Sequence, residues 1–393
     1  MSIGQLHAGF TRFREAAPDR LHFAAHSHHP WPDVAHAGHQ AAWDDALELA
    51  DEKWVKVFGD VVPATQSAIA RVLGLPDPSS IAFAPNTHEL LVRLFSCLEP
   101  PVRILATGAE FHSFTRQTRR WEEAGLAVVT RVATDPLETF EERLVKAVAG
   151  GRHHLVYFSQ THFDSGYVTA GMQEVVRAVP SDDAIVVIDG YHGFMASPTD
   201  LGPMHDRVFY LAGGYKYAMA GEGACFMHCP PGYGARPVDS GWFAGFGQLE
   251  EGMGNDVWFG TDGSRFLGAT FDPVGIYRMR AVLEWLESSG VTVADIHRHA
   301  RDLQSHFVEG LSSAGLDELG ELVPDSSFPD RGNFLTFRRP DAATFHRAMR
   351  ELGVVTDYRR DRLRIGFGVY HDRSEVDALV ERATAALALT AST

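Results

Sequence analysis

The chain has 393 residues, 45% hydrophobic and 22% charged, enough apolar material for a large core divided between two domains. Its formal charge of −16 argues against a nucleic-acid partner or an anionic membrane surface, since either calls for clustered Lys and Arg. Three cysteines, Cys97, Cys225 and Cys229, make no disulfide framework and suit a reducing compartment, and no run approaches the roughly 18 apolar residues of a membrane span. With no apolar signal core at the N-terminus, the expected location is cytoplasmic.

Residues 1–40 are irregular and rich in His and Pro, and are expected to pack on a small C-terminal domain or over the active site. From 41 to 275 short β-rich runs (81–85, 103–108, 127–132, 154–159, 184–189, 207–213 and 224–229) alternate with amphipathic helical stretches such as 88–98, 115–125 and 137–150. That alternation predicts an α/β domain, a mostly parallel central sheet with helices on both faces. The Gly- and aromatic-rich stretch 240–273 is too long and too polar for simple core and is expected to line a pocket or reach a partner subunit. Residues 276–393 alternate helices with strands at 333–339 and 362–368, a smaller α+β domain.

Ligand sites in such sheets lie beyond the strand C-termini, where Asn86, Ser159, Asp189 and Lys216 fall. Asp189 closes one apolar strand, and Lys216, after Gly213 and Gly214, follows the next. An acid and a lysine so placed suit pyridoxal 5'-phosphate: the amine condenses with the cofactor aldehyde, and the carboxylate keeps the pyridine nitrogen protonated. The plainer readings are a solvated loop lysine and an aspartate capping the next segment. Asn86-Thr87 opens a helix whose backbone N–H groups suit a phosphate, Phe111 or His112 suits stacking on the ring, and His192 suits a cofactor contact. Arg364, on the last strand, is a candidate fork for a substrate carboxylate or else one of a surface cluster with Arg359, Arg360 and Arg362. In the N-terminal segment His26 and His28 would share one face of an extended strand. This H-x-H supports a rival reading as a zinc hydrolase, with His162, His192 or His205 as further ligands by residue type alone; the leading reading holds no metal.

At YKY followed by AGEGA, with SGWF downstream and FSQTHFDSG at 158–166, the sequence resembles kynureninase, a fold-type-I pyridoxal-phosphate enzyme of the class V aminotransferase superfamily. The resemblance extends over most of the chain. It implies Lys216 as the Schiff-base lysine with Tyr215 beside it, Asp189 and His192 as the D-x-x-H pair, and Ser159 near the cofactor. Asn86 and Thr87 fall at the phosphate turn, Phe111 or His112 at the stacking position, and Arg364 at the substrate-carboxylate position. Trp242 matches a phosphate-side tryptophan supplied by a partner subunit, which implies a homodimer with shared active sites. The implied reaction is hydrolytic Cβ–Cγ cleavage of an amino acid to alanine and an aromatic acid, with class V transamination as runner-up and a cofactor-free binding protein behind it. The chain departs from the family pattern at Thr270, where Asn is usual, and at 25–29, where AHSHH replaces a G-N-S-L-G, keeping Ser27 and putting His26 for Asn at the substrate end. A cysteine desulfurase is disfavoured, because no cysteine follows Cys229.

Overall fold

The computed structural model describes residues 3–248, 256–315 and 319–391. The chain first forms a two-residue strand, β1 (Leu21–His22), and then the strands of the main sheet: β2 (Ile81–Ala84), β3 (Val102–Thr107), β4 (Ala127–Val132), β5 (Leu155–Ser159), β6 (Ile185–Asp189), β7 (Val208–Gly213) and β8 (Cys225–His228). Their spatial order is β2-β8-β7-β6-β5-β3-β4. Only β8 runs against its neighbours, so the sheet is mostly parallel, as the alternation of strands and helices predicts.

Both faces of this sheet are covered. Every residue of β5 and β7 is buried, the continuous apolar run of a strand with helices on each side. Because neighbouring side chains point to opposite faces, Val156, Phe158, Val186, Ile188 and Tyr210 enter one core while Leu155, Tyr157, Ile185, Val187 and Phe209 enter the other. The second core also holds Phe95 and Trp121, whose rings stack 3.7 Å apart between the helices Thr87–Phe95 and His112–Glu123. At the edge, β4 keeps only its two end residues buried.

The C-terminal region forms a second sheet with short flanking strands: β9 (Glu321–Leu322), β10 (Phe334–Arg338), β11 (Val354–Val355), β12 (Asp357–Arg359) and β13 (Arg362–Gly366). The order β12-β13-β10-β9 is antiparallel throughout, and helices supply the rest of its core through Leu303, Phe307, Phe345, Val376 and Leu379.

Two boundaries differ from expectation. The N-terminal segment is only partly irregular: β1 pairs in parallel with β11, which carries Phe23 into the small core, and Asp33–Leu49 is a helix. That helix crosses Val274–Ser289 closely, Gly38 lying where a Cβ would meet the Tyr277 carbonyl oxygen at 2.7 Å. The boundary expected at 275/276 likewise opens a helix that packs with the large sheet through Ile276, Met279, Val282 and Leu283. The change of core comes within Val293–Ser313, where Ile296 joins the large core and Ala300 the small one. Residues 249–255 of the Gly- and aromatic-rich stretch lie outside the described residues. Among the described residues no helix is long and apolar enough to cross a membrane.

Candidate active site

Beyond Gly213, where β7 ends, the chain turns through Gly214 and Tyr215 and buries the Lys216 side chain. A Cβ at Gly213 would collide with the Cys225 sulfur and the Tyr191 hydroxyl, so the turn takes only glycine there. Neighbouring segments hold the turn from both sides. The His29 N–H donates to the Tyr215 carbonyl at 2.9 Å, and the Tyr217 hydroxyl donates to the Asn333 carbonyl at 2.8 Å. Lys216 Nζ lies 2.6 Å from His192 Nε2 and 4.6 and 5.1 Å from the ring centres of Tyr191 and Phe111. This is the reverse of a solvated loop cation. Burial pulls the amine down to about 7, against the opposing pull of the Asp189 carboxylate. Burial, with Lys216 beside it, also takes His192 well below the usual imidazole value, leaving the ring neutral.

Asp189, at the end of β6, accepts the Tyr157 hydroxyl at 2.7 Å and the Tyr191 N–H at 3.0 Å, and so is held in an Asx-type turn with its carboxylate at the strand end. Ser159 is its register partner on β5. Around these groups lies a cavity of about 480 Å³ lined by Asn86, Thr87, Phe111, Ser159, Asp189, His192, Tyr215 and Lys216, all anticipated in the sequence, and by Thr161, Phe163, Glu222 and Cys225 among others. Asn86 caps the helix Thr87–Phe95, its side-chain oxygen accepting the Glu89 N–H at 2.9 Å, so a helix N-terminus meets the cavity wall. Tyr215 stacks on His28 at 5.0 Å, and burial raises its phenol, which stays protonated.

Of the two stacking candidates, Phe111 lines the cavity, whereas His112 is exposed and faces a separate cleft with Arg116 and Arg119. Arg364 is buried and already engaged, one guanidinium nitrogen on the Asp357 carboxylate and another on the Phe163 carbonyl. Trp242 and Thr270 do not line the cavity; they bond to each other, Trp242 Nε1 donating to Thr270 Oγ1 at 2.8 Å, on a surface where the indole is 43% exposed.

The shared-face geometry of the H-x-H is not found. Ala24 to His28 form a turn, with the Ser27 and His28 N–H groups both donating to the Ala24 carbonyl. His26 is therefore fully buried and stacked on Phe334 at 4.7 Å, while His28 is exposed and Ser27 half-buried. His162 packs edge-on to Phe140 in the core, and His205 Nδ1 lies 2.7 Å from the Gly202 carbonyl oxygen. Among the described residues, the group with metal-ligand spacing is His7, Asp372 and Glu375, which contains none of the histidines of the zinc reading.

Glu110, Tyr157, Tyr191, Phe163 and Cys225 were not anticipated. Glu110 is nearly fully buried, accepting Ser159 Oγ at 2.6 Å, the Ser159 N–H at 3.2 Å and Thr107 Oγ1 at 2.5 Å. An acid just past an apolar strand ordinarily belongs to a solvated loop, so composition hides it. Its one sequence signal is adjacency to Phe111.

A family model described as aminotransferase class-V matches residues 50–334. The chain belongs to that family. It is a pyridoxal-phosphate-dependent class V enzyme of fold type I, acting on an amino acid. Among its relatives are a probable cysteine desulfurase of Vibrio cholerae serotype O1, 22% identical with 79% of each chain covered, and the cysteine desulfurase CsdA of Escherichia coli K12, 22% identical with 83% of each covered. The crystal structure of CsdA from Escherichia coli superposes with a TM-score of 0.80 at 16% identity over 99% of both chains. A complex of the cystine C–S lyase C-DES with cysteine persulfide superposes with a TM-score of 0.75 at 16% identity, covering 94% of this chain and 98% of that one. These relatives are desulfurases and a C–S lyase, so the superfamily in the resemblance stands, while these relatives do not support its kynureninase branch.

The residues present fit the cofactor. A depressed lysine amine and a held carboxylate converge on one cavity, and two residues that line it, Thr161 and His192, each keep a buried polar atom, Oγ1 and Nδ1, with no hydrogen-bond partner. Buried polar atoms are rarely left so unless a ligand or water completes them. When bound, pyridoxal phosphate supplies an electron sink beside the substrate Cα.

Proposed function

We propose that the chain is a carbon–sulfur lyase acting on a cysteine- or cystine-type amino acid, releasing sulfur without passing it to a cysteine of its own. In this reading Lys216 binds the cofactor and, once freed, moves the Cα proton; an amine titrating near 7 serves as base and acid at neutral pH. His192, neutral and 2.6 Å away, orients that amine. Asp189 keeps the ring nitrogen protonated, Asn86 and Thr87 receive the phosphate, Phe111 packs on the ring, and Tyr215 donates from its protonated phenol. Arg364 binds the substrate carboxylate after exchanging it for Asp357.

The observation that carries the reading is the state of the thiols. Cys225 is the one cysteine lining the cavity; it is buried, 3.3 Å from the Tyr191 hydroxyl, and burial pushes its thiol up to about 11. Such a thiol is protonated at neutral pH and is a poor sulfur acceptor. No cysteine follows Cys229 to supply a mobile one. The relatives' names favour chemistry at a Cβ–S bond, and the thiols favour doing it by elimination.

A second reading, hydrolytic Cβ–Cγ cleavage of a kynurenine-type amino acid, follows from the sequence resemblance around Tyr215 and Lys216. Product analysis separates the readings. Elimination gives pyruvate and ammonia, with sulfide from L-cysteine or cysteine persulfide from L-cystine; hydrolysis gives alanine and anthranilate from L-kynurenine; transamination turns over only with a keto acid. Alanine and anthranilate without any pyruvate would overturn the proposal.

A further inference from the structure

Glu110 sits where β3 gives way to the helix that begins at His112, and ties together two walls of the cavity. Its own backbone leads directly into Phe111, and its carboxyl holds the end of β5 through the Ser159 hydroxyl and N–H, with Thr107 Oγ1 as a third donor. Through Ser159, the register partner of Asp189, it is one residue removed from the acid that faces the ring nitrogen. The Asp189 carboxylate opposes a second negative charge at Glu110, and the neighbouring Tyr157 phenol, which both acids push up together with burial, stays neutral. Burial, the largest influence, pushes the Glu110 carboxyl up to about 8, so its proton comes and goes near neutral pH.

Chemistry at the hydroxyl follows from the proton count. With Glu110 protonated, its O–H donates to Ser159 Oγ and the serine proton is free to point into the cavity that Ser159 lines. With Glu110 ionised, the serine proton is drawn back to the carboxylate, and the cavity meets only an oxygen lone pair and a nearby anion.

We propose that Glu110 is a positioning residue for the cofactor: it clamps the Phe111 and Ser159 walls together and, through the Ser159 hydroxyl, sets the donor character and charge of the strand ends under the ring. This rests on the cofactor and not on which substrate bond is broken. A failure of the lyase reading therefore leaves it standing.

The test uses full-length protein loaded with pyridoxal phosphate and follows the visible absorbance of the bound cofactor against pH, together with the cofactor dissociation constant. In Glu110→Gln the anion is lost, so the midpoint of the absorbance transition falls by roughly half a unit or more, and cofactor dissociation rises several-fold. Ser159→Ala removes a donor that favours the ionised carboxyl, and its midpoint falls in the same direction by less. If Glu110→Gln does not fold, Ser159→Ala decides alone. An unchanged or raised midpoint in the folded variants overturns the proposal, even where melting temperature drops, since a merely structural role moves stability and leaves the cofactor spectrum in place.

Discussion

In the cofactor-free protein, Asp189→Asn will lower the protonation midpoint of Lys216 and Arg364→Met will raise it. Burial pulls the amine down to about 7; the Asp189 carboxylate opposes that shift, and the Arg364 guanidinium adds to it. An ordinary lysine titrates near 10.4, so a displacement of roughly three units makes the neutral amine about a thousandfold more abundant at neutral pH. A single charge acting across such a pocket is worth on the order of one unit, ~1.4 kcal/mol, which puts the Asp189→Asn midpoint at roughly 6 and the Arg364→Met midpoint at roughly 8. Isotopic reductive methylation at a series of pH values, read by peptide mass spectrometry, measures each lysine separately. The chain has only four lysines, and Lys53, Lys56 and Lys146, none of them buried, give internal references. A Lys216 midpoint near 10, or movement of both variants in one direction, would refute the electrostatic account.

Other outcomes follow from the same packing and charges. Trp121→Ala, which empties the stack on Phe95, costs about 3–5 kcal/mol in urea denaturation with little effect on the cavity. Glu110 titrates in the folded state near 8 and in an unfolded chain near 4.3, so the native protein holds the extra proton between those values. The Glu110 contribution to the unfolding free energy of the cofactor-free protein therefore falls by a few kcal/mol as pH rises from about 4 to 8, while the buried histidines, held below the usual imidazole value, add stability over the acid part of that range. Denaturation at the same pH values isolates the Glu110 part as the stability of the wild type relative to Glu110→Gln, which falls as pH rises. Trp43, Leu47 and Val55 are exposed, and Trp54, Phe58, Phe243 and Trp242 form an aromatic group, apolar surface that suits a second copy of the chain. Sedimentation is expected to give a dimer, with Trp43→Glu plus Leu47→Glu shifting it to monomer and weakening cofactor retention.

The large domain was legible in the sequence because its signal is physical and local. Each parallel strand is a continuous apolar run, each covering helix has a 3.6-residue period, and all seven main-sheet strands lie where those runs fall. Lys216, Asp189, Ser159, Asn86 and Phe111 were legible for the same reason, since a site at strand ends inherits its positions from the strands. What escaped was set by tertiary contact. β1, β9, β11 and β12 are two or three residues long, too short to show a period, and exist only through their partners. The turn at 24–28 sends His26 inward and His28 outward, which an extended reading of H-x-H cannot anticipate. Glu110 is polar by composition and buried by its three donors, and Asp357 lies seven residues from the arginine it occupies with nothing local to announce the pairing.

Borohydride reduction of the cofactor-loaded protein followed by peptide mapping identifies the lysine that carries the cofactor. A phosphopyridoxyl group on Lys216, with loss of the visible band and no such band in Lys216→Ala, is the predicted result. Full-length protein that binds no pyridoxal phosphate, or that carries the group on Lys53, Lys56 or Lys146, would contradict it.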